Sequence, residues 1–175
     1  MERLPADWSV GRDVLLIELT DWHWPSEAGI EWFTVFIAAD ASGVSNQTIQ
    51  GLATAMLRQR CASMTAWGPD CESVHVGFDM AHTAWPTHRR VRRWGRWRTT
   101  WSDEIPFMHT MDWENESLAY ALWCATLEWP AGGEGYFEDR PATFVALVEP
   151  QFREEVRGLL LDWERLEREA VADEE

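Results

Sequence analysis

Apolar positions along this chain follow two rhythms. Three continuous runs, "DVLLIEL" (Asp13–Leu19), "WFTVFIAA" (Trp32–Ala39) and "ATFVALV" (Ala142–Val148), are bounded by polar or turn-forming residues. Short aliphatic and aromatic runs of this kind predict strands buried on both faces, as in a parallel sheet. Ser63–Trp67 is a shorter run that stops at Gly68-Pro69, and Arg96–Trp101, "RWRTTW", is β-prone through its threonines and tryptophans.

Between these runs the spacing turns helical. Val44, Ile49, Leu52, Ala53, Met56 and Leu57 share a face over Val44–Arg60, with Ser42 or Ser45 as cap. Asp70 caps a second helix that ends by His82 or Trp85, ahead of Pro86. Leu118, Ala121, Leu122, Ala125 and Trp129 line a third over Asn115–Trp129. Pro150 suits the first turn of a last helix, lined by Phe152, Val156, Leu159, Leu160, Trp163 and Leu166.

Strands alternating with helices predict an α/β three-layer sandwich with a mostly parallel sheet of about five strands and about four helices. No helix separates the first two strands, so an antiparallel hairpin there would make the sheet mixed. Residues 1–170 are expected to form one domain, with 171–175 an acidic, frayed tail.

The chain has 175 residues, 46% of them hydrophobic and 13 of them tryptophan, which excludes disorder for its bulk. No apolar run approaches bilayer-spanning length, and three cysteines without paired spacing read as reduced thiols. A cytoplasmic protein without membrane contact is expected. Thirty acids oppose fifteen bases, all arginine, for a net charge of -15. That balance argues against general nucleic-acid binding and suits a basic protein partner.

Ligands of open α/β sheets bind beyond the carboxyl ends of the strands. Those ends collect Asp40 and Ser42, then Asp70 and Cys71, then Ser102, Asp103, Glu104 and, further on, His109, and finally Glu149. Asp21 and His23 join them if the first strand runs the same way. Neither glycine-rich phosphate-binding signature is present, and "GGEG" at Gly132–Gly135 follows a helix instead of a strand. No cofactor is expected.

Cys71 falls in the first turn of its helix, where the dipole lowers a thiol pKa. His75 and Asp79 follow at four-residue steps, giving the parts of a nucleophile, base and orienter. The same positions suit an ordinary buried stripe beside Val74, Phe78 and Ala81, since cysteine is among the most buried residue types. Adding His82 makes four possible metal ligands, with His109 or Asp103 as a further one, but one helix spreads them beyond a single ion, and no CxxC or HExxH supports a metal.

One segment runs against the overall charge. "HRRVRRWGRWR" (His88–Arg98) holds Arg89, Arg90, Arg92, Arg93, Arg96 and Arg98, interleaved with Trp94 and Trp97. Such a segment can stack on bases and clamp phosphates. It equally suits a connecting loop docked on the protein's own acidic surface or on a second copy. Trp8, Trp22, Trp24 and Trp32 crowd the first third of the chain, and tryptophan concentrates where interfaces hold their energy.

"AWGPDCESVH" (Ala66–His75), "TTWSDE" (Thr99–Glu104) and "ESLAYALW" (Glu116–Trp123) together resemble motifs of a family of small uncharacterised bacterial domains. Ser102 stands where that pattern has a histidine. The resemblance implies a bacterial origin and carries no activity. The leading expectation is a non-enzymatic, immunity-like or accessory protein-binding module. The alternatives are a hydrolase or transferase with Cys71 as nucleophile and His75 or His109 as base, and an RNA-binding module using Arg89–Arg98. A homo-oligomer fits the charge segregation.

Overall fold

The computed structural model describes residues 1–5, 13–25, 29–30, 32–85, 88–93, 96–101, 109–127 and 143–172. For 88–93, 96–101 and 109 it is the backbone that is described. The elements in chain order are β1 (Glu2–Leu4), β2 (Val14–Glu18), β3 (Phe33–Ala38), α1 (Asn46–Arg58), β4 (Cys61–Trp67), α2 (Cys71–Thr83), β5 (His88–Arg93), β6 (Arg96–Trp101), β7 (His109–Trp113), α3 (Leu118–Leu127), β8 (Thr143–Val148), α4 (Arg153–Leu161) and α5 (Trp163–Ala172). A single 3-10 turn, Pro150–Phe152, leads into α4.

Six strands form one sheet in the order β1-β2-β8-β3-β4-β7. All neighbours are parallel except β1, which runs antiparallel to β2. The sheet is therefore mixed, but not through a hairpin of the first two long strands. β8 lies between β2 and β3 and is parallel to both, so the expected β2–β3 pairing does not occur. The antiparallel member is β1, three residues that carry no periodic signal.

Strand alternation divides the core in two. Leu15, Ile17, Val35, Ile37, Met64, Val145 and Leu147 face α1 and α2. Leu16, Phe36, Ala38, Phe144, Ala146 and Val148 face α3, α4 and α5. Burial on both faces explains why these strands read as unbroken apolar runs. Ser45 caps α1 as expected, its hydroxyl accepting the Thr48 N–H at 3.1 Å. The buried face of α1 is Ile49, Leu52, Ala53, Met56 and Leu57.

The predicted last helix is two. α4 ends at Leu161, Asp162 leaves the helical region, and its carboxylate accepts the Arg165 N–H at 3.0 Å to start α5. A continuous apolar stripe hid this break, because an aspartate mid-pattern satisfies the periodicity of either one helix or two. Of the tail, Val171 and Ala172 close α5, and 173–175 lie outside the described residues.

Trp24 is a core residue rather than a docking residue. It is 1% exposed, stacks on Phe33 at 4.9 Å, and its indole N–H donates to Gln59 at 2.9 Å. Trp22 packs half-buried against the same core, and the Arg60 guanidinium lies 4.9 Å from the half-buried Trp32 ring. Trp8 is outside the described residues.

Candidate functional site

The carboxyl ends of five parallel strands finish level. Glu18 is in register with Val148, Val148 with Ala38, Ala38 with Trp67, and Trp67 with Trp113. Strands lie about 4.8 Å apart, so the last four ends span a rim roughly 15 Å wide. The residues that follow them are Glu149, Asp40, Asp70, and the pair Glu114 and Glu116. Asp40, Glu114 and Glu116 are exposed, and Asp70 and Glu149 are half-buried. Among the described residues, no ion pair involves any of these carboxylates.

Backbone geometry packs the rim tightly. Ala39 N–H donates to the Trp67 carbonyl at 3.1 Å, and Ala41 N–H to the Pro69 carbonyl at 2.9 Å. Gly68 sits at φ 116, and a methyl there would lie 2.3 Å from the Ala39 carbonyl oxygen. Only glycine allows β3 and β4 to approach this closely at that backbone angle. Asp70 then adopts the left-handed region at φ 58, which aspartate tolerates, and accepts the Ser73 hydroxyl at 2.8 Å.

β8 leads to helices on one face and β3 to a helix on the other, so their shared end is the switch point where such sheets hold ligands. Here the chain occupies it. Glu149 Oε2 accepts the Asp40 N–H at 2.9 Å and the Gln151 side-chain N–H at 2.7 Å. An incoming phosphate would meet a carboxylate where it needs a free donor. Asp40 in turn is held as an anion: the Ser42 hydroxyl and then the Ser42 N–H, at 2.9 Å, lower its pKa.

Cys71 lies beside the end of β7 but is closed off from solvent. It is 1% exposed and belongs to the core under α1 and α2. Burial raises its thiol pKa, and the nearby charges of Asp112 and Glu114 raise it further against an opposing bond to the Trp113 backbone. The expected lowering by the helix terminus is thus reversed, because desolvation penalises the thiolate more than the first turn favours it. As the chain is folded here, the thiol is covered from solvent.

His75 and Asp79 do meet, at 3.2 Å between Nε2 and Oδ2. The other ring nitrogen, Nδ1, contacts Asp112 Oδ1 on β7. Thr110, also on β7, donates its hydroxyl to Asp79 at 2.7 Å. Both nitrogens of His75 are occupied by carboxylates, so neither is placed to take a proton from Cys71. The trio ties α2 to the edge strand. Among the described residues no group of three metal-binding side chains converges on one ion.

The remaining expected residues separate. His109 begins β7 opposite Ser63, at the amino end of the sheet, away from Asp40 and Asp70. Ser102, Asp103 and Glu104 lie outside the described residues, as does Trp94. The strand expected to deliver them, β6, is not in the main sheet. It pairs antiparallel with β5 as a separate ribbon, so the arginine segment taken for a connecting loop is a β-hairpin.

The parallel strand is β7, "HTMDW", and it brings Asp112, Glu114 and Glu116, which sequence reading missed. Its signal was there: a short run between polar residues, separated by four residues from a strong helix. A tryptophan- and threonine-rich neighbour outscored it.

Aromatic side chains flank the rim on the α3 face. Trp67 meets Phe152 edge-on at 5.2 Å, and Trp113 meets Tyr120 at 5.3 Å. The Trp67 indole N–H donates to the Glu116 carbonyl at 2.8 Å, fixing the start of α3 to the end of β4. At the opposite, amino end a cavity of about 530 Å³ is lined by residues including Arg3, Asp13, Leu15, Ile30 and Thr143. Its one charged pair, Arg3 with Asp13 at 3.3 Å, is mutually satisfied.

Helices on both faces of a largely parallel sheet, with a crossover that returns β8 to the centre, define a doubly wound α/β domain. The chain belongs to the family described as "Domain of unknown function (DUF7684)", whose model matches residues 15–128. No curated protein and no solved structure matches the chain. The family match runs from β2 to the end of α3, yet the sheet it describes closes only through β8, which follows it.

Proposed function

We infer that this is a non-catalytic binding domain whose carboxyl-end rim docks a basic protein surface, in the manner of an accessory or immunity-like factor. The observation that carries the reading is the row of Asp40, Asp70, Glu114, Glu116 and Glu149 along level strand ends, without a neutralising cation among the described residues. Uncompensated carboxylates on a protein of net charge -15 steer a basic partner and fix its register. Half-buried Trp67, Trp113 and Phe152 beside them supply the apolar contact that charge alone does not.

Three features disfavour turnover. Cys71 is buried, His75 is doubly engaged, and the donor at the switch point is taken by Glu149.

The test is affinity capture from the native host with the intact protein and with Glu114→Arg/Glu116→Arg. Both side chains are exposed, so the variant should keep its circular dichroism and melting profile. A partner with a basic contact face, retained by the intact protein and lost by the variant, is the expected result. A partner held equally by both, or none at all, overturns the reading.

A further inference from the structure

The strand that brings Glu114 and Glu116 to the rim is an edge. Among the described residues β7 pairs with β4 alone. Alternation turns Thr110 and Asp112 to the same face, and both reach α2. Thr110 donates its hydroxyl to Asp79 Oδ1 at 2.7 Å, and Asp112 Oδ1 meets His75 Nδ1. Asp79 Oδ2 lies 3.2 Å from His75 Nε2. The imidazole stands between two carboxylates, one from its own helix and one from the strand.

A neutral imidazole has one N–H, and its other nitrogen carries a lone pair. Here that lone pair would face a carboxylate oxygen, leaving two acceptors in contact. Only the doubly protonated ring donates on both sides. The elements packed on α2 are α1, β4 and β7. Their titratable side chains are Arg58 on α1, Cys61 on β4, and His109 and Asp112 on β7, with Glu114 just beyond. On α2 itself Cys71, Glu72, Asp79 and His82 lie within two turns of the ring. Of all these, Asp79 and Asp112 form its ion pairs.

We propose that a proton on His75 latches the edge strand β7 to α2, so that its gain fastens the strand and its loss releases it. Folding favours the charged ring. The latch is therefore complete below the ordinary imidazole range, around pH 6.5, and is lost as pH rises through it. Carboxylates ordinarily titrate near pH 4 and thiols near pH 8.5, on either side of that range. The side chains of His75, Asp112 and Asp79 are 29%, 30% and 54% exposed, so solvent screens the latch and its effect is modest. Glu114 and Glu116 follow directly on β7, so release loosens one end of the rim; that consequence alone rests on the docking reading above.

The experiment is native-state hydrogen exchange of the intact protein at about pH 5.5 and about pH 8, on either side of the imidazole range. Rates are read as protection factors, which remove the intrinsic pH dependence of exchange. Protection of the β7 amides should fall about three- to tenfold at the higher pH, while β3 and β8 at the sheet centre hold theirs. The fall should vanish in His75→Gln. Asp112→Asn keeps the size of its side chain and should shrink the fall. Should either variant fail to fold, Asp79→Asn changes an exposed side chain and should shrink it in part.

Equal β7 protection at both pH values in the intact protein overturns the proposal. So does a fall that persists in His75→Gln, or one undiminished in both aspartate variants. The measurement needs no partner, so its failure leaves the rim reading standing, and a failed capture through Glu114 and Glu116 leaves the latch standing.

Discussion

Replacing glycine by alanine in a helix normally stabilises it, and this protein should show both signs of that change in adjacent helices. Gly51 lies in α1, exposed, with nothing within 4 Å of where a methyl group would stand. Gly51→Ala should gain about 0.5–1 kcal/mol, the difference in helix propensity. Gly77 lies in α2, buried against α1. A methyl there would sit 2.4 Å from Ile49 Cγ2 and 3.1 Å from Ile49 Cβ. Ordinary carbon contacts are about 3.5–4.0 Å, so something must move by roughly 1 Å.

Ile49 is fully buried and β-branched, with one strongly preferred rotamer in a helix, so the helices themselves must part. Overpacking of this kind costs about 1–3 kcal/mol, which exceeds the propensity gain. Gly77→Ala should therefore destabilise by about 1–2 kcal/mol net. Urea unfolding followed by tryptophan fluorescence measures both variants, with the midpoint moving and the slope unchanged. Ile49→Ala removes the clashing carbon, so the double variant should be less destabilised than the sum of the two single changes, by at least about 1 kcal/mol. Equal signs for Gly51→Ala and Gly77→Ala, or strict additivity with Ile49→Ala, would refute the close-approach account of α1 and α2.

Burial raises the thiol pKa of both Cys61 and Cys71. The unfolded chain releases these protons from about pH 9, while the folded chain keeps them. Their contribution to stability is thus complete below the unfolded value and lost as pH rises above it. Urea midpoints should fall on the alkaline side, and Cys61→Ala/Cys71→Ala should flatten that fall. A fragment ending at residue 128, where the family match ends, should not fold. It lacks β8, which pairs with both β2 and β3, and it lacks Phe144, Leu147, Leu159, Leu160 and Leu166 from the two cores. At about 1.5–3 kcal/mol per large buried side chain, that loss matches the whole stability of a domain. A cooperative melting transition of this fragment would refute the requirement for β8.

The architecture class was readable because burial on both faces leaves its mark on each strand separately. β2, β3, β4 and β8 appear as apolar runs, and α1, α2 and α3 as stripes of period 3.6, whatever their neighbours are. The cap of α1 was equally local, since Ser45 needs only its own helix to act, whereas Asp70 stands at the start of α2 in the left-handed region and its carboxylate makes no capping bond. What periodicity does not carry is partnership. β6 and β7 are both plausible strands, but choosing the one that joins the main sheet depends on pairing with β4, and that contact is invisible in the run itself. β7 brings Glu114 and Glu116 to the rim, while Ser102, Asp103 and Glu104 lie outside the described residues.

The same division governs the chemistry. Composition determined the charge of -15, the arginine segment, and the missing phosphate-binding signatures. Tertiary packing decided that Cys71 is buried, that His75 finds Asp112 on β7, and that Glu149 closes the switch point through Asp40. A side chain's type is written in the chain, but its solvent, its partners and hence its reactivity belong to elements that lie tens of residues away.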